Sequence, residues 1–237
     1  MTHHGAPSAD AGEPGRLAAG NRLWQQCWRD KQTDFHQTAV NPLLMQCWPG
    51  LALAAASRVF VPLCGKSLDL KWLLSQGHHV IGVELSPLAV RAYFRERKLQ
   101  PVRQVLGNFV LWSHGRLGIL CGDFFSLTPE HLHGVQAVYD RAALTALPES
   151  LRQQYAAHLM RILPADFCML LLTTEEAEAA ETEIPPLSPE IQALYGGRFN
   201  IALCMTDSRQ EQLGMDADLT QVDYKVYALQ QKMSVPA

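Results

Sequence analysis

Between residues 58 and 173 the chain alternates short apolar runs with stretches of helical period, and no other feature limits the fold as much. Residues 58–63 (RVFVPL) read as a buried strand. The turn Cys64-Gly65-Lys66-Ser67 follows, and Ser67 or Asp69 can cap a helix that runs to Gln76 and stops at Gly77. Residues 79–85 (HVIGVEL) read as a second strand, and Ser86-Pro87 opens a helix to about Lys98. Residues 104–112, 117–120 and 135–139 read as strands, the last ending in Asp140-Arg141. A helix is expected over 148–163, where Leu151, Tyr155, His158, Leu159 and Ile162 recur at helical spacing, and a buried strand over 167–173. Alternation of this kind predicts an α/β fold, with a mostly parallel sheet covered by helices on both faces.

The two ends differ in character. Residues 1–20 are rich in Ala, Gly and Pro and read as a disordered leader. The remainder, 21–237, reads as a single domain. Leu23, Trp24, Cys27 and Trp28 have amphipathic spacing that Asn21 could cap, and Asn41-Pro42 opens a second short helix. Residues 200–205 and 224–229 read as strands of an antiparallel hairpin at the sheet edge. The acidic, Ala-rich stretch 175–183 reads as a solvated loop or helix.

Composition removes several classes. Apolar residues make up 48% and charged residues 18%, enough for a core without disulfide or metal staples. The net charge of −3 disfavours nucleic acid or an anionic membrane as partner. No apolar run approaches the ~18 residues of a membrane helix, and the start lacks a signal-peptide core, so the cytoplasm is the expected compartment. The six cysteines stand singly, without CxxC, and no zinc site or disulfide framework is expected.

In an open α/β sheet the ligand lies outside the carboxyl ends of the strands, so chemistry is sought there. Leu63-Cys64-Gly65-Lys66-Ser67 leaves a strand and opens a helix, but it is neither GxGxxG nor a P-loop, since no leading glycine precedes GKS. It reads either as a ligand-contacting turn or as a plain connection. Glu84 ends the next strand about 20 residues on, where a carboxylate can accept both hydroxyls of a ribose, or be a surface acid. Asp123, with Phe124 and Phe125, could hold an adenine or cap a helix over two core rings. Arg141, after Asp140, could bind an anionic substrate or form a structural pair. Taken together they point to a nucleoside without a pyrophosphate, which fits S-adenosyl-L-methionine. His131 and His133 have no third partner spaced for a metal, and no Ser/His/Asp arrangement is present.

The stretch from Trp24 to Thr173 resembles the bacterial thiopurine S-methyltransferases, class I S-adenosylmethionine-dependent enzymes. The pieces that carry the resemblance are W-x3-W (Trp24, Trp28), FHQ-x3-NPLL (35–44), VFVPLCGKSLDLKWLL (59–74), GVELSPLAV (82–90), LCGDFFSLTPE (120–130), VYDRAALTALP (138–148) and YAAHL (155–159). The resemblance implies a Rossmann-like domain with a seven-stranded sheet, an antiparallel C-terminal edge and an N-terminal lid over about 21–50. It implies cofactor contacts at Trp28, Leu63, Gly65, Glu84, Asp123, Phe124 and Arg141. Trp28 would lay a π face beside the sulfonium. Arg141 and Asp140 are the catalytic candidates, and Phe35, His36 and Arg209 the candidates for the acceptor. The implied acceptor is an aromatic or heterocyclic thiol, or a selenium or tellurium species in detoxification, handled by a monomer without metal.

After Thr173 the resemblance thins. Pro185-Pro186 and ALYGG (193–197) match, but the aromatic residue and glycine expected before the prolines are absent, and Asp34 replaces the glycine before Phe35. A second reading follows: a protein of the same fold that binds the cofactor with an altered or inactive acceptor pocket. A nicotinamide oxidoreductase would need the missing GxGxxG turn.

Overall fold

The computed structural model describes residues 13–30, 32–33, 36–176, 187–212 and 219–232, with the backbone alone described at 13–20, 176 and 212. The elements in chain order are α1 (Glu13–Arg29), α2 (Pro42–Cys47), β1 (Arg58–Val61), α3 (Asp69–Ser75), β2 (His79–Glu84), α4 (Pro87–Glu96), β3 (Val102–Leu106), β4 (Phe109–His114) and β5 (Leu117–Cys121). Then follow β6 (Val135–Arg141), α5 (Glu149–Ile162), β7 (Cys168–Glu176), α6 (Pro189–Tyr195), β8 (Phe199–Gln212) and β9 (Leu219–Gln231).

The strands form one nine-stranded sheet in the order β3-β4-β5-β2-β1-β6-β7-β9-β8. The five central strands, β5 to β7, are parallel. Both edges are antiparallel: β3 and β4 on one side, β9 and β8 on the other. The strand order reverses at β1, whose neighbours β2 and β6 lead to opposite halves of the sheet. A crevice therefore opens between the loops that leave β1 and β6.

Each central strand shows why it is buried on both faces. Along β1, Val59 and Val61 turn to one side and Phe60 to the other, as a period of two requires. Val59 and Val61 pack with Leu43, Leu44, Leu70, Leu73, Val90 and Phe94 from α2, α3 and α4. Phe60 packs with Tyr155, Leu159, Ile191 and Tyr195 from α5 and α6. The helices are set by local chemistry: Asn41 Oδ1 accepts from the N–H groups of Leu43 and Leu44 at 2.9 and 3.4 Å, with Pro42 filling the first position of α2.

Five expectations are corrected. The sheet has nine strands among the described residues, where seven were expected. The single strand expected over 104–112 is a hairpin: Gly107, at φ +56°, turns the chain, and Leu106 faces Phe109 across β3 and β4. The turn signal is the dipeptide Gly107-Asn108 between two apolar runs, which a reading as one continuous strand passes over. Helix α1 begins at Glu13, inside the stretch expected to be a leader; residues 1–12 lie outside the described residues. Strands β8 and β9 reach well beyond 200–205 and 224–229, because backbone pairing carries their polar outer halves. Of the acidic stretch, residues 175–176 close β7 and the rest lies outside the described residues.

Candidate active site

A cleft of about 1050 Å³, open to solvent, lies at the carboxyl ends of β1, β2, β5 and β6. The backbone around it is strained. Leu63 (φ +44°) and Ala142 (φ +60°) hold left-handed conformations without being glycine, and both line the cleft. Gly65 (φ +54°) completes the turn after β1, and a Cβ there would meet the Trp28 ring at 3.4 Å. Trp28 of α1 thus lies at contact distance from this turn, and the positive φ is what favours glycine at 65. Gly82 serves the same turn from beneath, because a Cβ there would lie 2.7 Å from Cys64 Sγ.

Glu84 sits at the end of β2, only 6% exposed. Its Oε2 accepts from Gly65 N–H at 2.8 Å and its Oε1 from Ser86 N–H at 2.7 Å. Burial pushes its carboxyl up to about 7, while the Ser86 and Gly65 hydrogen bonds pull it down. Each oxygen keeps a lone pair for a further donor.

Asp123 does two jobs. Its Oδ1 accepts from Phe125 N–H at 3.0 Å and caps the short turn Phe124–Ser126. Its Oδ2 accepts from Asn21 Nδ2 at 2.9 Å, which ties α1 to the end of β5. Phe124 lines the cleft but is held by the core, stacked on Tyr155 with centroids 4.7 Å apart. His158 fixes it further, since its Nε2 meets Phe124 O at 3.1 Å while Arg161 donates to Nδ1.

Arg141 and Asp140 part company. They are neighbours at the end of β6, so they point to opposite faces of the sheet. Arg141 turns into the cleft, where Nε pairs with Asp69 Oδ2 at 2.9 Å and Nη2 donates to Ser67 Oγ at 3.2 Å. Asp140 turns into the core and is fully buried. It accepts from Ala143 N–H at 3.0 Å and from Tyr155 O–H at 2.7 Å, and burial raises its carboxyl to about 6. Asp140 does not line the cleft. Its hydrogen bonds fasten the 142–144 turn to α5.

The remaining expected residues divide. Trp28, Leu63 and His36 line the cleft. Burial first, and the Lys66 charge next, hold the His36 imidazole below the usual histidine range. Arg209 lies on the edge strand β8, away from the cleft, paired with Asp207 at 2.6 Å and set over the Tyr224 ring. Pairing of β8 with β9 holds it on that strand. Phe35 lies outside the described residues. Three residues gain a place that spacing did not give them: Trp24 and Asn21 line the cleft, and Asp69 stands behind Arg141. An acid in the first turn of a helix reads as a solvated cap, and only the fold shows Asp69 to be buried.

Among the described residues no group of three His, Cys, Asp or Glu could hold a metal ion, and no helix is long and apolar enough to cross a membrane. The cysteines are free thiols, Cys64 buried beneath the cleft.

Comparison with known proteins gives the same picture at three levels. The model of the family Thiopurine S-methyltransferase (TPMT) matches residues 19–232. A protein named thiopurine S-methyltransferase from Stutzerimonas stutzeri is 53% identical over 211 residues, covering 88% of this chain and 90% of its own. One of the same name from Methylococcus capsulatus is 49% identical over 185 residues, covering 76% and 83%. Among solved structures, the Burkholderia thailandensis 1,6-didemethyltoxoflavin-N1-methyltransferase with S-adenosylhomocysteine aligns at a TM-score of 0.60 and 16% identity, over 96% and 94% of the two chains. A SAM-dependent methyltransferase from Anabaena variabilis aligns at 0.57 and 13% identity, over 90% and 95%. At these identities the structural likeness speaks for the fold.

Proposed function

The chain belongs to the thiopurine S-methyltransferase family, and we propose on that basis that it methylates the sulfur of an aromatic or heterocyclic thiol. The donor is S-adenosyl-L-methionine. One observation carries the site assignment: Glu84, Asp123 and Arg141, which leave three different strands, line a single cleft with Gly65 and Trp28.

The residues fit the donor. Glu84 is a buried carboxylate with spare lone pairs, suited to the ribose hydroxyls. Asp123 and Phe124 offer an acceptor and a ring edge to the adenine. Leu63 and Gly65 bring backbone close to the ligand because their φ angles are positive. Trp24 and Trp28 cover the cleft from α1, and an indole face attracts a sulfonium. When bound, the donor supplies an electrophilic methyl group on that sulfonium.

The chain's own part is alignment and exclusion of water. A thiolate is a strong nucleophile once formed, so a dedicated base is not required. Arg141 holds the anionic sulfur by charge and by its free N–H groups. His36, its imidazole held below the usual histidine range by burial and the Lys66 charge, is the candidate for the acceptor side of the cleft. The cleft is completed by the chain's own helix α1, which supports a monomer as the working unit.

The test is incubation of the protein with methyl-labelled S-adenosyl-L-methionine and a panel of a thiopurine, thiophenol, selenite and tellurite. Label in the sulfur compounds is the expected result. Label only in selenium or tellurium products would move the acceptor to a metalloid. Cofactor binding with no transfer to any of them favours the altered-pocket reading, which the departure from the family pattern over 174–190 supports.

A further inference from the structure

Asp69 is 1% exposed and carries a charge that the proposed chemistry leaves unused. Its carboxylate gathers three donors from two separate parts of the chain, the residue before α2 and the end of β6. Oδ1 accepts from Asn41 N–H at 2.9 Å. Oδ2 accepts from Tyr139 O–H at 3.0 Å and from Arg141 Nε–H at 2.9 Å. On the other side of the guanidinium, Ser67 Oγ takes Nη2 at 3.2 Å and also accepts from Asp69 N–H at 3.1 Å. Two of the three guanidinium nitrogens are thus held from behind. Nη1 shows no partner among the described residues, and the side chain lines the cleft.

An arginine is a long, flexible side chain, and fixing it when a ligand arrives costs conformational entropy. A fork fixed beforehand avoids that cost and meets the ligand in one orientation. We propose that Asp69 is the positioning residue for Arg141: it fixes the guanidinium so that its unoccupied N–H groups face the sulfur anion of the acceptor. Through Asn41 the same carboxylate also anchors the stretch that carries His36, so both side chains proposed for the acceptor side are referenced to one buried acid. The inference rests on the methyl-transfer reading above.

A merely structural Asp69 would neutralise Arg141 and hold Asn41, with no bearing on the acceptor. A double-mutant cycle separates the two roles. The full-length wild type, Asp69→Asn, Arg141→Ala and the double variant are assayed for label transfer to thiophenol and a thiopurine. Cofactor affinity by calorimetry and the thermal midpoint are measured alongside. The expected result is a tenfold or greater fall in acceptor kcat/KM for Asp69→Asn, with the cofactor Kd moving less than threefold. In the Arg141→Ala background the same change should alter kcat/KM less than twofold, and Asp69→Glu should recover part of the loss. Equal losses in both backgrounds, or loss of cofactor binding in step with turnover, would overturn the role. If Asp69→Asn fails to fold, Ser67→Ala releases Nη2 instead, and the same non-additivity with Arg141→Ala is required. No transfer by the wild type to either thiol overturns the function itself; transfer by the wild type with additive losses overturns only the part given to Asp69.

Discussion

Glu84 shows how one buried acid ties affinity to pH. Its carboxyl is raised to about 7, so it is mostly protonated at pH 6 and mostly ionised at pH 8. The ionised form is the better acceptor for ribose hydroxyls and the better partner for a cationic donor. Cofactor affinity should therefore rise by up to about tenfold between pH 6 and pH 8. Isothermal titration at a series of pH values checks this. Glu84→Gln should weaken binding at least tenfold and flatten the profile, because an amide NH2 would face one of the two backbone N–H groups. Gly65 carries a second prediction. Alanine there must hold φ +54°, so Gly65→Ala should lower stability by roughly 1–2 kcal/mol and, by shifting the turn that lines the cleft, raise the cofactor KM. A denaturation curve and a kinetic titration read the two effects separately. The sequence made Glu84, Gly65 and Arg141 legible because strand ends in this fold class face the ligand. It did not separate Asp140 from Arg141, although period two already sends neighbours to opposite faces. What it lacked was the knowledge of which face opens to the cleft.

Helix α1 contributes Asn21, Trp24 and Trp28 to the wall of the cleft. One end of the segment that leaves it is fixed by Asn41 on Asp69, and the helix itself is tied by Asn21 on Asp123. Asn21→Ala removes the second tie without disturbing the cap that Asp123 gives Phe125. We expect faster amide exchange along α1, unchanged exchange in β5, and a cofactor Kd raised a few fold. Hydrogen-exchange mass spectrometry makes the comparison directly. Elements buried on both faces, such as β1, β2 and β7, were legible as continuous apolar runs. The β3–β4 hairpin was marked by Gly107-Asn108 between two apolar runs, a signal that a reading by hydropathy alone passes over. The outer halves of β8 and β9 were not legible, because they are polar and held by backbone pairing, which leaves no mark in hydropathy. The start of α1 was hidden for another reason: its first residues are Glu, Pro, Gly, Arg, Leu and Ala, a composition shared with unstructured leaders.

The molecule as a whole joins a rigid sheet to a ligand that it binds only when folded. The stability of the two is linked by mass action. Cofactor at 100 times its Kd should stabilise the native state by about 2.7 kcal/mol, seen as a rise of several degrees in the thermal midpoint. A buried truncation in the sheet, such as Leu170→Ala, should cost about 2–5 kcal/mol while leaving the cofactor Kd of the folded fraction in place. Thermal scans with and without ligand would reveal both. A sheet whose five central strands all run one way also gives the protein two dissimilar ends. Every side chain assigned to the ligand stands at the end where those strands finish. The other end, where the exposed His133-Gly134 turn leads into β6, is free of them. A tether grafted at that turn would anchor the enzyme to a bead or an electrode with its mouth pointing outward, so immobilised copies would share one orientation and keep their openings clear.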